Sequence, residues 1–134
     1  PGMDALLCAL ESAGRPWGVV TNKPSWLTRP LMAALELDTR AAVCVSADEV
    51  AAAKPAPDAL LRACELLRQA PRDCQYVGDD LRDIQAGRAA GLYTVAAGWG
   101  YIGTGGPPET WQADHIAWRV ADLHTHLQQG ITER

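Results

Sequence analysis

Hydrophobic positions recur along this chain in two periods, helical and strand-like, that take turns. Met3, Leu6, Leu7 and Leu10 fall at helical spacing over residues 3–13, and the pattern stops at Gly14, a residue suited to the left-handed turn that ends a helix. Residues 17–21 form a short apolar strand bounded by Pro16. Leu27, Leu31, Met32 and Leu35 predict a helix over 25–36 with a kink at Pro30. A second strand follows at 42–45. Pro57 and Asp58 open a third helix that runs to about Arg68, with Leu60, Leu61, Cys64 and Leu67 inward. Residues 74–77 are the third strand, ended by Gly78, and 80–90 a helix closed by Gly91. A fourth strand at 92–96 leads into a loop rich in Gly, Pro and Trp over 97–113. Residues 115–118 read as a short last strand, and Val120, Leu123 and Leu127 as one face of a final amphipathic helix.

Apolar strands separated by helices, with no internal repeat, predict an α/β fold: a doubly wound parallel sheet flanked by helices on both faces. Ligands of such sheets sit beyond the C-terminal strand ends, so the chemistry is sought there. The 134 residues make one domain, and 48% apolar against 21% charged residues exclude a disordered chain. A net charge of −4 and a pI near 5.2 argue against a nucleic-acid partner. No apolar run reaches the ~18 residues of a membrane span. The opening Pro1-Gly2-Met3-Asp4 lacks the basic and apolar blocks of a signal peptide. Cys8, Cys44, Cys64 and Cys74 form no CxxC pair and read as reduced thiols of a cytoplasmic protein.

Three strand ends carry polar clusters. Thr21-Asn22-Lys23 offers a hydroxyl and backbone N–H groups at a helix entrance, which suits either a phosphate oxygen or an ordinary helix cap. Lys54-Pro55 sets an ammonium beyond the second strand, where it can neutralise a phosphate or a buried carboxylate. Every other basic residue except Lys23 is arginine, and a compact ammonium does what a planar guanidinium cannot. Gly78-Asp79-Asp80-Leu81-Arg82-Asp83 crowds three carboxylates at one helix entrance. Asp80 and Asp83 fit an N-cap and its partner three residues on, whereas Asp79 is free to face a hard divalent cation.

Taken together, these clusters resemble the haloacid dehalogenase superfamily, in particular its phosphoglycolate phosphatase-like enzymes. Val19-Val20-Thr21-Asn22-Lys23-Pro24 resembles the second motif of that family, and Ala53-Lys54-Pro55-Ala56-Pro57 the third. Residues 77–91, from Val77-Gly78-Asp79-Asp80 to Ala89-Ala90-Gly91, resemble the fourth almost in full. The likeness extends from residue 1 to about 127. The loop Gly98-Trp99-Gly100-Tyr101-Ile102, with Trp111 and Ala113-Asp114 beyond it, is similar to the branch that includes N-acetylmuramic acid 6-phosphate phosphatases.

The resemblance implies a Mg²⁺-dependent phosphomonoester hydrolase with a Rossmann-like core, acting on a small phosphorylated metabolite through an aspartyl-phosphate. It assigns Mg²⁺ to Asp79, with Asp83 and Asp80 in support, and the phosphoryl oxygens to Thr21, Asn22 and Lys23. Lys54 offsets the charge of nucleophile and phosphate. The family's first motif, DxDGT, which supplies the nucleophile, has no counterpart: none of the ten aspartates begins a DxD. The opening at Pro1 resembles the point where the family's chains return from a mobile cap to the core. Residues 1–134 are thus expected to be the C-terminal part of a longer phosphatase, with an incomplete core and no cap. In the family the absent strand lies between those at 17–21 and 74–77, leaving two edges to re-pair directly, to be filled by another chain, or to self-associate. Alternatives are a non-catalytic fragment that binds Mg²⁺ or phosphate, and a receiver-type signalling domain. A receiver places its acidic pair before its Thr and Lys, the reverse of the order Thr21, Lys54, Asp79-Asp80.

Overall fold

The structure, a computed structural model, describes residues 2–99 and 106–133. In chain order it forms α1 (Met3–Ser12), β1 (Gly18–Thr21), α2 (Ser25–Ala34), β2 (Val43–Ser46), α3 (Asp58–Leu67), β3 (Gln75–Gly78), α4 (Leu81–Ala90), β4 (Tyr93–Ala97), β5 (His115–Ala117) and α5 (Val120–Glu133). Every strand pair is parallel. Gly14 and Gly91 take positive φ, 72° and 86°, and turn the chain out of α1 and α4 without the steric cost of a side chain. Helix α2 continues through Pro30, so the proline lies within the helix rather than ending it. The pattern missed three 3₁₀ turns, Ala47–Glu49, Pro71–Asp73 and Pro108–Thr110, each too short to hold a hydrophobic period. Gly100, Tyr101 and Ile102 of the loop lie outside the described residues. No helix among the described residues is long and apolar enough to cross a membrane.

The strands divide into two sheets, β1-β2 and β3-β4-β5, and β1 does not pair with β3. Direct re-pairing across the expected gap is therefore not the arrangement adopted. Helix α3 spans the gap instead. Its Ala59 and Ala63 pack on Val45 of β2, while its Leu60 and Cys64 pack with Ala86 and Ala90 of α4 and with Leu92. Val20 of β1 touches both clusters. Leu60 is 2% exposed, and a leucine buried to that degree contributes about 1.5–3 kcal/mol. On the opposite face Leu6 of α1 and Leu123 and Leu127 of α5 cover Val95 and Ala117. Helices on both faces of parallel strands make the fold doubly wound.

Three strands of the larger sheet begin with polar or aromatic residues, and α5 lies against them. His126 stacks on His115 with ring centroids 4.2 Å apart and on Tyr93 at 5.6 Å, and its Nε2 lies 3.2 Å from Gln75 Oε1. Burial, then the neighbouring His115, hold the His126 imidazole below its ordinary value. The other charged groups near this stack are Asp114, beside Tyr93, and Asp122, beside His115. A base depressed in the fold binds fewer protons than in the unfolded chain, so its contribution is present above the unfolded value and lost as pH falls through it. Stability is expected to drop as pH falls below about 6.5, well above the carboxylate range. Thermal melts between about pH 7.5 and 5.5 check this, and His126→Gln should flatten the dependence.

Candidate active site

Three segments converge at the C-terminal strand ends. β1 ends at Thr21, whose Oγ1 accepts from Lys23 N–H at 3.1 Å and closes a tight turn into α2. The first turn of α2 has no cap of its own at Pro24; Asp48 supplies one, accepting from the Ser25 N–H at 2.9 Å and its hydroxyl at 2.7 Å. Those two bonds hold the Asp48 carboxyl below the usual carboxylate range. They also tie the β2–α3 connection, which carries Lys54, to the segment that carries Asn22.

Asn22 completes that tie. Its Nδ2 donates to the Lys54 carbonyl at 3.2 Å, and its Oδ1 accepts from the Lys54 N–H at 3.0 Å. The Lys54–Pro55 peptide bond is cis. Held at its backbone by Asn22, Lys54 runs its side chain inward, only 8% exposed, and its Nζ donates to Asp83 Oδ1 at 2.5 Å, Tyr76 Oη at 2.7 Å and the Val20 carbonyl at 3.4 Å. Lys23, by contrast, stands exposed at the entrance to α2.

Asp83, its side chain 11% exposed, is the hub. Its Oδ2 accepts from the backbone N–H groups of Asp79 at 3.1 Å and Asp80 at 3.2 Å, while Oδ1 holds Lys54. Asp80 caps α4, accepting from the Arg82 N–H at 3.0 Å, and that bond holds its carboxyl below the ordinary range. The capping pair read from the sequence is thus present. Gly78 permits it by close approach: a Cβ there would lie 2.2 Å from the Asp83 Cβ. Asp79 is exposed, and its carboxylate makes no hydrogen bond or ion pair among the described residues.

These donors differ in what they offer a hard cation. Asp79 presents free carboxylate oxygens, Asp80 is partly engaged, and both Asp83 oxygens are committed. Among the described residues no three carboxylate, His or Cys side chains are grouped to hold a metal by themselves. That donor set fits Mg²⁺, which takes one or two carboxylates and fills its remaining positions with water and phosphate oxygens.

Sequence reading missed Tyr76. Its hydroxyl donates to the Val20 carbonyl at 3.0 Å, and its ring lies 5.3 Å from Lys54 Nζ. Burial, with Asp83 nearby, pushes the phenol above its ordinary value. The only sequence signal was a tyrosine inside an otherwise apolar strand, where a buried hydroxyl needs a partner.

A lysine–aspartate pair thus lies beneath a free carboxylate at the strand ends of a parallel, Rossmann-like α/β core. The profile of haloacid dehalogenase-like hydrolases matches residues 1–91, and the chain belongs to that family. It is 50% identical over 115 residues to a phosphoglycolate phosphatase of Xylella fastidiosa, covering 86% of this chain and 50% of that protein. It is 46% identical over 132 residues to an N-acetylmuramic acid 6-phosphate phosphatase of Pseudomonas aeruginosa, covering 98% and 58%. The crystal structure of a predicted phosphoglycolate phosphatase from Haemophilus somnus superimposes with a TM-score of 0.88 at 28% identity, over 96% of this chain and 56% of that one. The chain spans about half the length of the curated relatives it matches.

Removing one partner of the buried pair leaves the other charge unpaired. Lys54→Met is expected to lower the unfolding free energy by about 3–5 kcal/mol in denaturant titrations. Asp79→Asn, at an exposed position, should change it by less than about 0.5 kcal/mol.

Proposed function

We propose that this chain is the C-terminal part of the catalytic core of a cytoplasmic, phosphoglycolate phosphatase-like phosphomonoester hydrolase acting on a small phosphorylated metabolite. The observation that carries this reading is the position of Lys54, fixed by Asn22 and Asp83 at the meeting of three strand ends beside the free Asp79 carboxylate. Asp79 would hold Mg²⁺, with Asp80 and Asp83 supporting it by fixing the turn that presents it. When bound, Mg²⁺ offsets the negative charge of the phosphoryl group and of an attacking carboxylate. Thr21 hydroxyl, Asn22 N–H and Lys23 would take phosphoryl oxygens. Lys54 would supply a fixed positive charge where nucleophile and phosphate meet, and positioning plus charge stabilisation is most of what phosphoryl transfer requires.

The nucleophile in this reading is an aspartate on a strand that fills the gap between β1 and β3. Its carboxylate attacks phosphorus in line, the P–O ester bond breaks as the second aspartate of that strand's DxD protonates the leaving oxygen, and water then hydrolyses the aspartyl-phosphate. In the isolated chain the open edges of β1 and β3 also favour self-association.

A second reading, N-acetylmuramic acid 6-phosphate as substrate, is favoured by the likeness to the Pseudomonas protein, which runs through nearly the whole chain. Turnover of phosphoglycolate, N-acetylmuramic acid 6-phosphate and other small phosphate esters by the full-length polypeptide decides between them.

The isolated 134-residue chain is expected to show no turnover of p-nitrophenyl phosphate with Mg²⁺ after rigorous purification, because it carries no DxD nucleophile. Turnover abolished by Asp79→Ala would overturn that expectation. In the full-length polypeptide, Asp79→Asn should reduce kcat/KM by at least about a hundredfold and weaken Mg²⁺ binding while leaving Tm nearly unchanged. Near-normal turnover at limiting Mg²⁺ would make Asp79 a surface residue only.

A further inference from the structure

β1 and β2 end side by side, with Thr21 and Ser46 as register partners, and their continuations leave the sheet together. One is the short turn through Asn22 that opens α2. The other is the 3₁₀ turn Ala47–Glu49 and the stretch from it to Lys54. Pro24, at the start of α2, has no side-chain oxygen to accept from the free N–H groups of the first turn. Asp48 accepts in its place, 23 positions along the chain from Ser25. The turn that carries Asp48 is itself fixed to the end of β2, because Glu49 Oε1 accepts from the Ser46 N–H at 3.1 Å.

Where α2 begins is therefore set by the end of β2 rather than by a cap of its own. Asn22 and Lys54 exchange two bonds at one point, and Asp48 takes two from Ser25 at another. A turn held at one point pivots about it, whereas a turn held at two keeps both its distance and its orientation. The turn between Asn22 and Ser25 is held at both ends by the segment that carries Lys54. The Ser25 hydroxyl and N–H keep the Asp48 carboxyl below its ordinary range, so it is charged throughout the neutral range. Asp79 is presented by a different turn, closed by Asp83, in which Asp48 takes no part.

We propose that Asp48 is a positioning residue for phosphoryl transfer, which through Ser25 sets the Thr21–Lys23 turn at a fixed distance and orientation from Lys54. The proposal rests on the reading of this chain as part of a phosphatase core, in which that turn takes the phosphoryl oxygens.

The test uses the full-length polypeptide, at a temperature where circular dichroism shows every variant folded. Asp48→Ala should lower kcat/KM for a phosphate ester at least about tenfold, mainly through kcat, because misplaced groups cost most in the transition state. Its Kd for Mg²⁺, by titration calorimetry, should stay within about twofold, since the turn of Asp79 is untouched. Asp48→Asn should recover most of the activity: its amide oxygen accepts from the Ser25 N–H and its NH₂ donates to the Ser25 hydroxyl. Adding Ser25→Ala to Asp48→Ala should cost nothing further, although Ser25→Ala alone lowers kcat/KM. A wild-type enzyme whose kcat/KM survives Asp48→Ala overturns the positioning role, whatever the change in Tm. So does an Asp48→Asn variant as impaired as Asp48→Ala, or a loss of Mg²⁺ affinity that matches the loss of activity. A wild-type polypeptide that hydrolyses no phosphate ester overturns the phosphatase reading instead, and the positioning role with it.

Discussion

The buried pair of Lys54 and Asp83 fixes the geometry of everything at the strand ends. A carboxylate and an ammonium taken almost wholly out of water keep their charges only if each lone pair and proton finds a partner. Asp83 meets that demand by bonding two backbone N–H groups of its own turn, and Lys54 by reaching Tyr76 and the Val20 carbonyl. The effect is to fasten the end of β1, the β2–α3 connection and the start of α4 to one point. Ion pairs this buried add little net stability compared with a well-packed apolar core. Their consequence here is placement, since neither partner can move without leaving the other unpaired.

Around that point the same economy of hydrogen bonds recurs. Asn22 spends its whole amide on the Lys54 backbone, and Asp48 spends its carboxylate on the first turn of α2. Gly78 has no side chain because Asp83 occupies the space a Cβ would need. Among the described aspartates at these strand ends, Asp79 is left out of this network, and its exposed carboxylate stays open above it.

The divided sheet sets the opposing constraint. β1 and β3 face each other unpaired, and strand edges with free N–H and C=O groups attract whatever strand can satisfy them. Helix α3 and the Tyr76 hydroxyl hold the two halves in register without closing the gap. Helices packed on both faces carry the alignment of the two sheets, and the described chain superimposes on the matched 56% of the Haemophilus somnus structure with a TM-score of 0.88.

The elements and their order follow from the pattern of apolar and polar residues along the chain. Period and punctuation located the five strands and five α-helices of the described residues, because burial of an apolar face is a local pattern: Leu60 and Cys64 recur one turn apart, and Gly91 stands where α4 must stop. The sequence also located Lys54, Asp79 and the capping pair of Asp80 and Asp83, since Lys-Pro and clustered aspartates at strand ends carry their chemistry in their spacing. What those residues touch is a matter of how the elements pack. That Asn22 turns to the lysine backbone, that Asp83 lies under Gly78 with both oxygens spent, and that Tyr76 crosses to Val20 are contacts between residues 3 to 56 positions apart. Such partners are set by how β1, β3 and α3 pack together. The energy that selects them comes from burying charges and hydroxyls, which no stretch of sequence shows until the chain has folded around them.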